Sequence, residues 1–232
     1  MKSQSPSVHR IAAAVLLALF LFANHALAGP PLVCHSFDIA NAKSLPWISH
    51  DWNLSGTESY DTKNLASDTI AILDSNPVVL VHMETLRRAT LYARKDPVAA
   101  KQLFTKLVAC ADSLANSPSA ALASFDLGYL AEAYKQWMGK DGPNPAQDFD
   151  GYALVKKAIQ LRGNDPQMDF AAALITLNGP AAEHQDFAQK AIAGAKADAL
   201  LQRNLFTHFI GPQSETMADM ISRTPSVKVA IR

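Results

Sequence analysis

An all-α fold of packed helical hairpins, with an extended N-terminal segment lying against them, is predicted by three features of this 232-residue sequence. Asn76-Pro77, Asp96-Pro97, Ser117-Pro118 and Asp165-Pro166 each set a capping residue directly before a proline. The capping oxygen can accept from an unpaired first-turn N–H, and proline at the first helical position loses nothing by lacking its own. Behind these starts the apolar residues recur at intervals of three and four. No alternating stretch is long enough to demand a sheet.

Residues 1–28 read as a secretory signal. Lys2 and Arg10 precede the apolar run Ile11–Ala23, and Ala26-Leu27-Ala28 offers a small-residue cleavage site. The run is shorter than the roughly 20 residues that span a bilayer, so no stable membrane anchor is expected after cleavage. No cysteine follows that site for a lipid anchor. The expectation is export across a bacterial-type inner membrane to the periplasm or beyond, with the mature chain starting at Gly29. Cleavage would take Lys2 and Arg10 from 21 basic residues and nothing from 21 acidic ones, leaving a net charge of −2. Such a near-neutral surface argues against nucleic acid as a partner.

Residues 29–63 form an extended, Trp-rich segment without helical period. It carries Cys34-His35, Phe37, Leu45-Pro46-Trp47, His50-Asp51-Trp52 and Tyr60. So many aromatic groups would be costly to leave in water, so the segment is expected to pack along the helical body.

The helical domain spans 64–222. In Pro77–Lys95, Val78, Val81, Met83, Leu86, Ala89, Thr90 and Ala93 make a broad apolar stripe, and Glu84 and Arg88 are spaced to pair on an outer face. Pro97–Ala115 repeats Leu103, Phe104, Leu107 and Val108, and Pro118–Met138 repeats Leu122, Phe125, Tyr129, Leu130 and Trp137. Further helices are predicted over Phe149–Leu161, Pro166–Leu177, Ala181–Ala197 and Ala199–Phe209, with a weaker one over Ser214–Ser222. Residues 223–232 read as a flexible tail. Starts about twenty residues apart imply hairpins of roughly 40 residues, stacked either as a helical repeat or as an irregular bundle.

Two resemblances add to this. The run Ala158-Ile159-Gln160-Leu161-Arg162-Gly163-Asn164-Asp165-Pro166 resembles the end of one tetratricopeptide repeat and the start of the next. Leu127-Gly128 resembles the Leu-Gly pair of that family's first helix. Ala131 stands where the family has an aromatic, and Gly139–Gln147 interrupts the hairpin, so the likeness covers about one repeat. It implies a concave face that takes a protein or peptide. Gly29-Pro30-Pro31-Leu32-Val33-Cys34-His35, Ala42-Lys43-Ser44-Leu45-Pro46-Trp47 and Met83-Glu84-Thr85-Leu86-Arg87-Arg88 are similar to stretches of a group of uncharacterised exported bacterial proteins. That likeness implies no activity.

Candidate chemistry is sparse. Cys34 and Cys110 could form a disulfide in an oxidising compartment, or remain free thiols. Cys34, His35 and His50 could bind a metal with an acidic partner, but their spacing does not match compact zinc motifs. Cys34-His35 lacks the first cysteine of a covalent haem site. As nucleophile and base it lacks a third orienting residue. No cofactor is therefore expected. His82 should be a satisfied, partly buried histidine near Glu84 or Leu86, while His184 and His208 have no i,i+4 partner for a metal. Phosphate loops, serine elbows and zinc-protease helices have no match. The expectation is a non-enzymatic binding or scaffold module contacting its partner through Trp47, Trp52, Arg87 and Arg88. Arg87 alternatively reaches a carboxylate of the N-terminal segment. A metal- or haem-associated protein centred on Cys34, His35 and His50 is the alternative.

Overall fold

The computed structural model describes residues 31–48, 58–138 and 143–210. The described residues are all-α, without strands. After a 3₁₀ turn at Thr62–Asn64 come α1 (Leu65–Ser75), α2 (Val79–Ala93), α3 (Pro97–Ser113), α4 (Ala120–Met138), α5 (Gly151–Arg162), α6 (Pro166–Ile175), α7 (Ala181–Gly194) and α8 (Ala199–Leu205). A 3₁₀ turn, Ala195–Ala197, precedes α8, and a π-helical turn, Phe206–Ile210, continues it. The signal region, His50, Trp52, the Ser214–Ser222 helix and the tail lie outside the described residues.

The cap-proline pairs divide into two kinds. Asp96 accepts from Val98 N and Ala99 N, and Asp165 from Gln167 N and Met168 N, so both are N-caps with proline next. Asn76 instead accepts from Val78 N, and Ser117 from Ser119 N. These two close a local turn, and their helices begin at Val79 and Ala120, later than the sequence predicts. Gly163 ends α5 with a φ of 70°, the left-handed conformation that glycine adopts without strain.

The centre of the fold is α2, which packs against α1, α3, α4 and α6. Every residue of α2 is buried except Arg88. This corrects the expectation that Glu84 and Arg88 share an outer face, because Glu84 is fully buried. The outer face is covered by residues 31–48, whose Leu32, Val33, Phe37, Ile39 and Leu45 join the core. Elsewhere α4 and α5 cross closely at Gly128 and Gly151. A Cβ on either glycine would lie 2.5 Å from the other's carbonyl oxygen, which is why both positions lack a side chain.

Candidate functional site

Two polar clusters sit inside this body, and both use α2. The first fastens the N-terminal segment. Phe37 N donates to Glu84 Oε2 at 2.9 Å, while Arg87 Nη1 at 3.2 Å and Arg88 Nε at 2.7 Å donate to Glu84 Oε1. Arg87 Nε donates to Val33 O at 2.8 Å, Arg88 Nη1 to Leu45 O at 2.5 Å, and Tyr92 OH to Pro46 O at 2.6 Å. The Arg87 guanidinium also lies 5.5 Å from the Trp47 ring centroid, a cation–π distance. Farther along, Leu32 N donates to Gln136. Asp38 is gripped by Arg203 and by Asn204, which both accepts from its N–H and donates to its carbonyl.

These contacts give the predicted contact residues internal tasks. Arg87 has no exposed surface, and its N-terminal partner is a backbone carbonyl rather than a carboxylate. Arg88 joins Glu84 to Leu45, and half-buried Trp47 packs edge-on against Tyr92. Trp52 lies outside the described residues.

Cys34 and Cys110 are both free, so the candidate disulfide is not formed. Each occupies a different cluster. Cys34 lies by Arg87, and burial pushes its thiol up although the guanidinium pulls the other way. His35 is exposed, its ring edge-on to His208 at 5.9 Å. Among the described residues no group of three or more His, Cys, Asp or Glu side chains could hold a metal ion. His50 is not among them.

The second cluster faces a cavity of about 260 Å³. It opens to the surface where the last turns of α1 and α3 meet the first turns of α2 and α4. Its walls are apolar, from Ile70, Leu73, Leu107, Leu114 and Leu122, while Asp74, Asn76, His82, Cys110, Ser119 and Asp126 bring polar atoms. At the floor His82 Nδ1 lies 2.6 Å from Asp126 Oδ1, and His82 Nε2 lies 2.6 Å from Asn76 O. His82 is 1% exposed and Asp126 5%. Burial opposes charge on the imidazole, but the Asp126 carboxylate, its hydrogen bond and the Asn76 carbonyl outweigh burial and raise the pKa above the usual 6.5.

The arrangement is a buried His–Asp pair in which burial raises Asp126 as well, and its chemistry follows from the engagement of both ring nitrogens. Two acceptors take both N–H groups of His82, so no lone pair remains to accept a substrate proton. Cys110 shares the cavity, but burial, Asp74 and Asp126 all push its thiol up, away from the nucleophilic thiolate. The site can hold a molecule. Neither His82 nor Cys110 is set up to act there as base or nucleophile.

Sequence reasoning placed His82 beside Glu84 or Leu86, whereas its partner is Asp126, 44 residues away. Asp126 was legible only as a carboxylate set into the apolar run Phe125–Leu130 of α4, where an exposed position would not fall. No helix among the described residues is long and apolar enough to cross a membrane. No family model, curated protein or solved structure matches the chain.

Proposed function

We propose that the protein is an exported, non-enzymatic binding module, and that its ligand is a small molecule held in the cavity between α1, α2, α3 and α4. Export rests on the signal pattern of residues 1–28. The observation that carries the binding reading is the cavity itself, with apolar walls around a few convergent polar groups, the usual build of a small-ligand site. The absence of catalysis in this reading rests on His82, whose two nitrogens are both committed, and on Cys110, held as a thiol. A peptide contact through Arg87 and Arg88 is less favoured, because Arg87 is fully buried and Arg88 is joined to Glu84 and Leu45.

Three matched fragments test this: cyclohexylmethylamine, cyclohexylmethanol and cyclohexanecarboxylate. With Cys34 replaced by serine, Cys110 alkylation reports occupancy of the cavity. At least one fragment should slow alkylation saturably, raise Tm, and be recovered chemically unchanged. Leu122→Trp, which sets an indole against the cavity, should abolish both effects. Protection by none of the three at millimolar concentration, or chemical conversion of a bound fragment, overturns the proposal.

A further inference from the structure

The geometry points to a small organic ammonium, with an apolar body of roughly ten non-hydrogen atoms, as the ligand class of this cavity, judged by benzene filling one of about 150 Å³. This rests on the binding reading above and adds the sign of the ligand's charge.

The argument is an inventory of what the cavity can still donate and accept. Its one cationic lining residue, among those described, is His82, whose N–H groups point at Asp126 and Asn76 and offer nothing to an anion. Acceptors remain in excess. Asp126 uses only Oδ1 on His82, so Oδ2 is its spare acceptor, and the side chain keeps 8% accessibility beside the cavity. Asp74, at the end of α1, is exposed on the same lining. The helix ends do not reverse the sign. Carbonyl ends of α1 and α3 and amide ends of α2 and α4 meet here, so their dipoles offset. Asp126 is paired with His82 and faces Arg162, so it offers a spare acceptor, while Asp74 adds a carboxylate with no ion pair among the described residues. The nearest wall senses both side chains, since Cys110 is raised by Asp74 and Asp126 in addition to its burial, with only Lys106 opposing.

The partition of polar and apolar groups then fixes the shape of the guest. An ammonium placed between Asp126 and Asp74 gains charge-assisted hydrogen bonds, stronger at buried Asp126 than at exposed Asp74. Its hydrocarbon body would lie against Leu107, Leu114 and Leu122. A carboxylate in the same place would face the Asp74 carboxylate and the acceptor Oδ2 of Asp126, with no free donor on a charged lining residue.

The matched fragments separate this inference from the reading beneath it. Cyclohexylmethylamine should bind at least tenfold more tightly than cyclohexylmethanol by calorimetry, and cyclohexanecarboxylate should show no protection of Cys110. Asp126→Asn should erase the preference for the amine, and Asp74→Asn should reduce it severalfold. Far-UV circular dichroism checks that each variant is folded. Because Asp74 is exposed, its variant carries the test if Asp126→Asn does not fold. Equal binding of amine and alcohol, or tighter binding of the carboxylate, overturns the ammonium class while leaving the cavity a binding site. Binding of none removes both.

Discussion

Replacing Glu84 with methionine removes the one carboxylate that holds Arg87, Arg88 and the Phe37 amide together. The three partners respond differently. Arg88, whose side chain is 17% exposed, can turn toward water, whereas Arg87, at 0%, cannot. Arg87 would keep the Val33 carbonyl and the Trp47 face but lose the one ion-pair partner it has among the described residues. Breaking a buried pair this way costs about 3–5 kcal/mol, and an orphaned buried amide at Phe37 adds about 1 kcal/mol. At roughly 2–4 °C per kcal/mol for a domain of this size, Tm should fall by about 8–24 °C. Urea unfolding followed by far-UV circular dichroism gives the free energy, and limited proteolysis should show cleavage within residues 31–48. The double variant Glu84→Met, Arg87→Met should recover part of the loss, because no charge is then stranded. A single variant within 1 kcal/mol of the parent, or a double variant as unstable as the sum of its parts, would refute the latch.

The remaining predictions concern titration and close packing. Burial pushes His208 down to about 4, so the stability it contributes is present above pH 6.5 and lost as pH falls toward 4, by at most about 3 kcal/mol. His82 is shifted the other way, so its contribution is complete below pH 6.5 and fades as pH rises through its raised folded value, where Asp74, Asp126 and Arg162 also face it. Thermal melts from pH 4 to 9 should therefore show His208→Phe flattening the acid limb and His82→Gln the alkaline one. An exchange of limbs would contradict the sign of each shift. Burial raises Asp169 to about 6, and its Oδ1 has no hydrogen-bond partner, so Asp169→Asn should stabilise the fold at pH 7 by about 1–2 kcal/mol in urea titrations. A loss of stability there would show that the carboxylate has a compensating role. Gly128→Ala should cost about 1–3 kcal/mol, since its Cβ would meet Gly151 O at 2.5 Å and α4 and α5 would have to separate. A neutral result would mean that the crossing is loose.

What could be read from the sequence was the part governed by neighbours along the chain. Asp96 and Asp165 cap as expected because capping depends on atoms within four residues, and the all-α class follows from apolar spacing within each helix. Asn76 and Ser117 show the limit of that logic, since the same dipeptide also closes a turn before the helix begins. Glu84 and Arg88 show another. An i,i+4 ion pair has the same spacing on a surface as in a core, and what buries this one is a segment some forty residues away. His82 and Asp126 were beyond reach for the same reason, being joined only when α2 and α4 pack. Trp47 and Arg87 stood out in the sequence as candidate partner contacts. Their burial assigns them to holding the N-terminal segment, and composition alone could not separate that from a contact surface.

The clamp on Asp38 has a consequence in time. Ribosomes release the N-terminal segment first, yet the Arg203 that grips Asp38 is made 165 residues later. At roughly 5–20 residues per second that is an interval of about ten to thirty seconds. Through that interval Asp38 has neither Arg203 nor Asn204 to hold it, because α8 does not yet exist. The clamp on Asp38 therefore cannot close before α8 has formed, on whichever side of a membrane the chain folds.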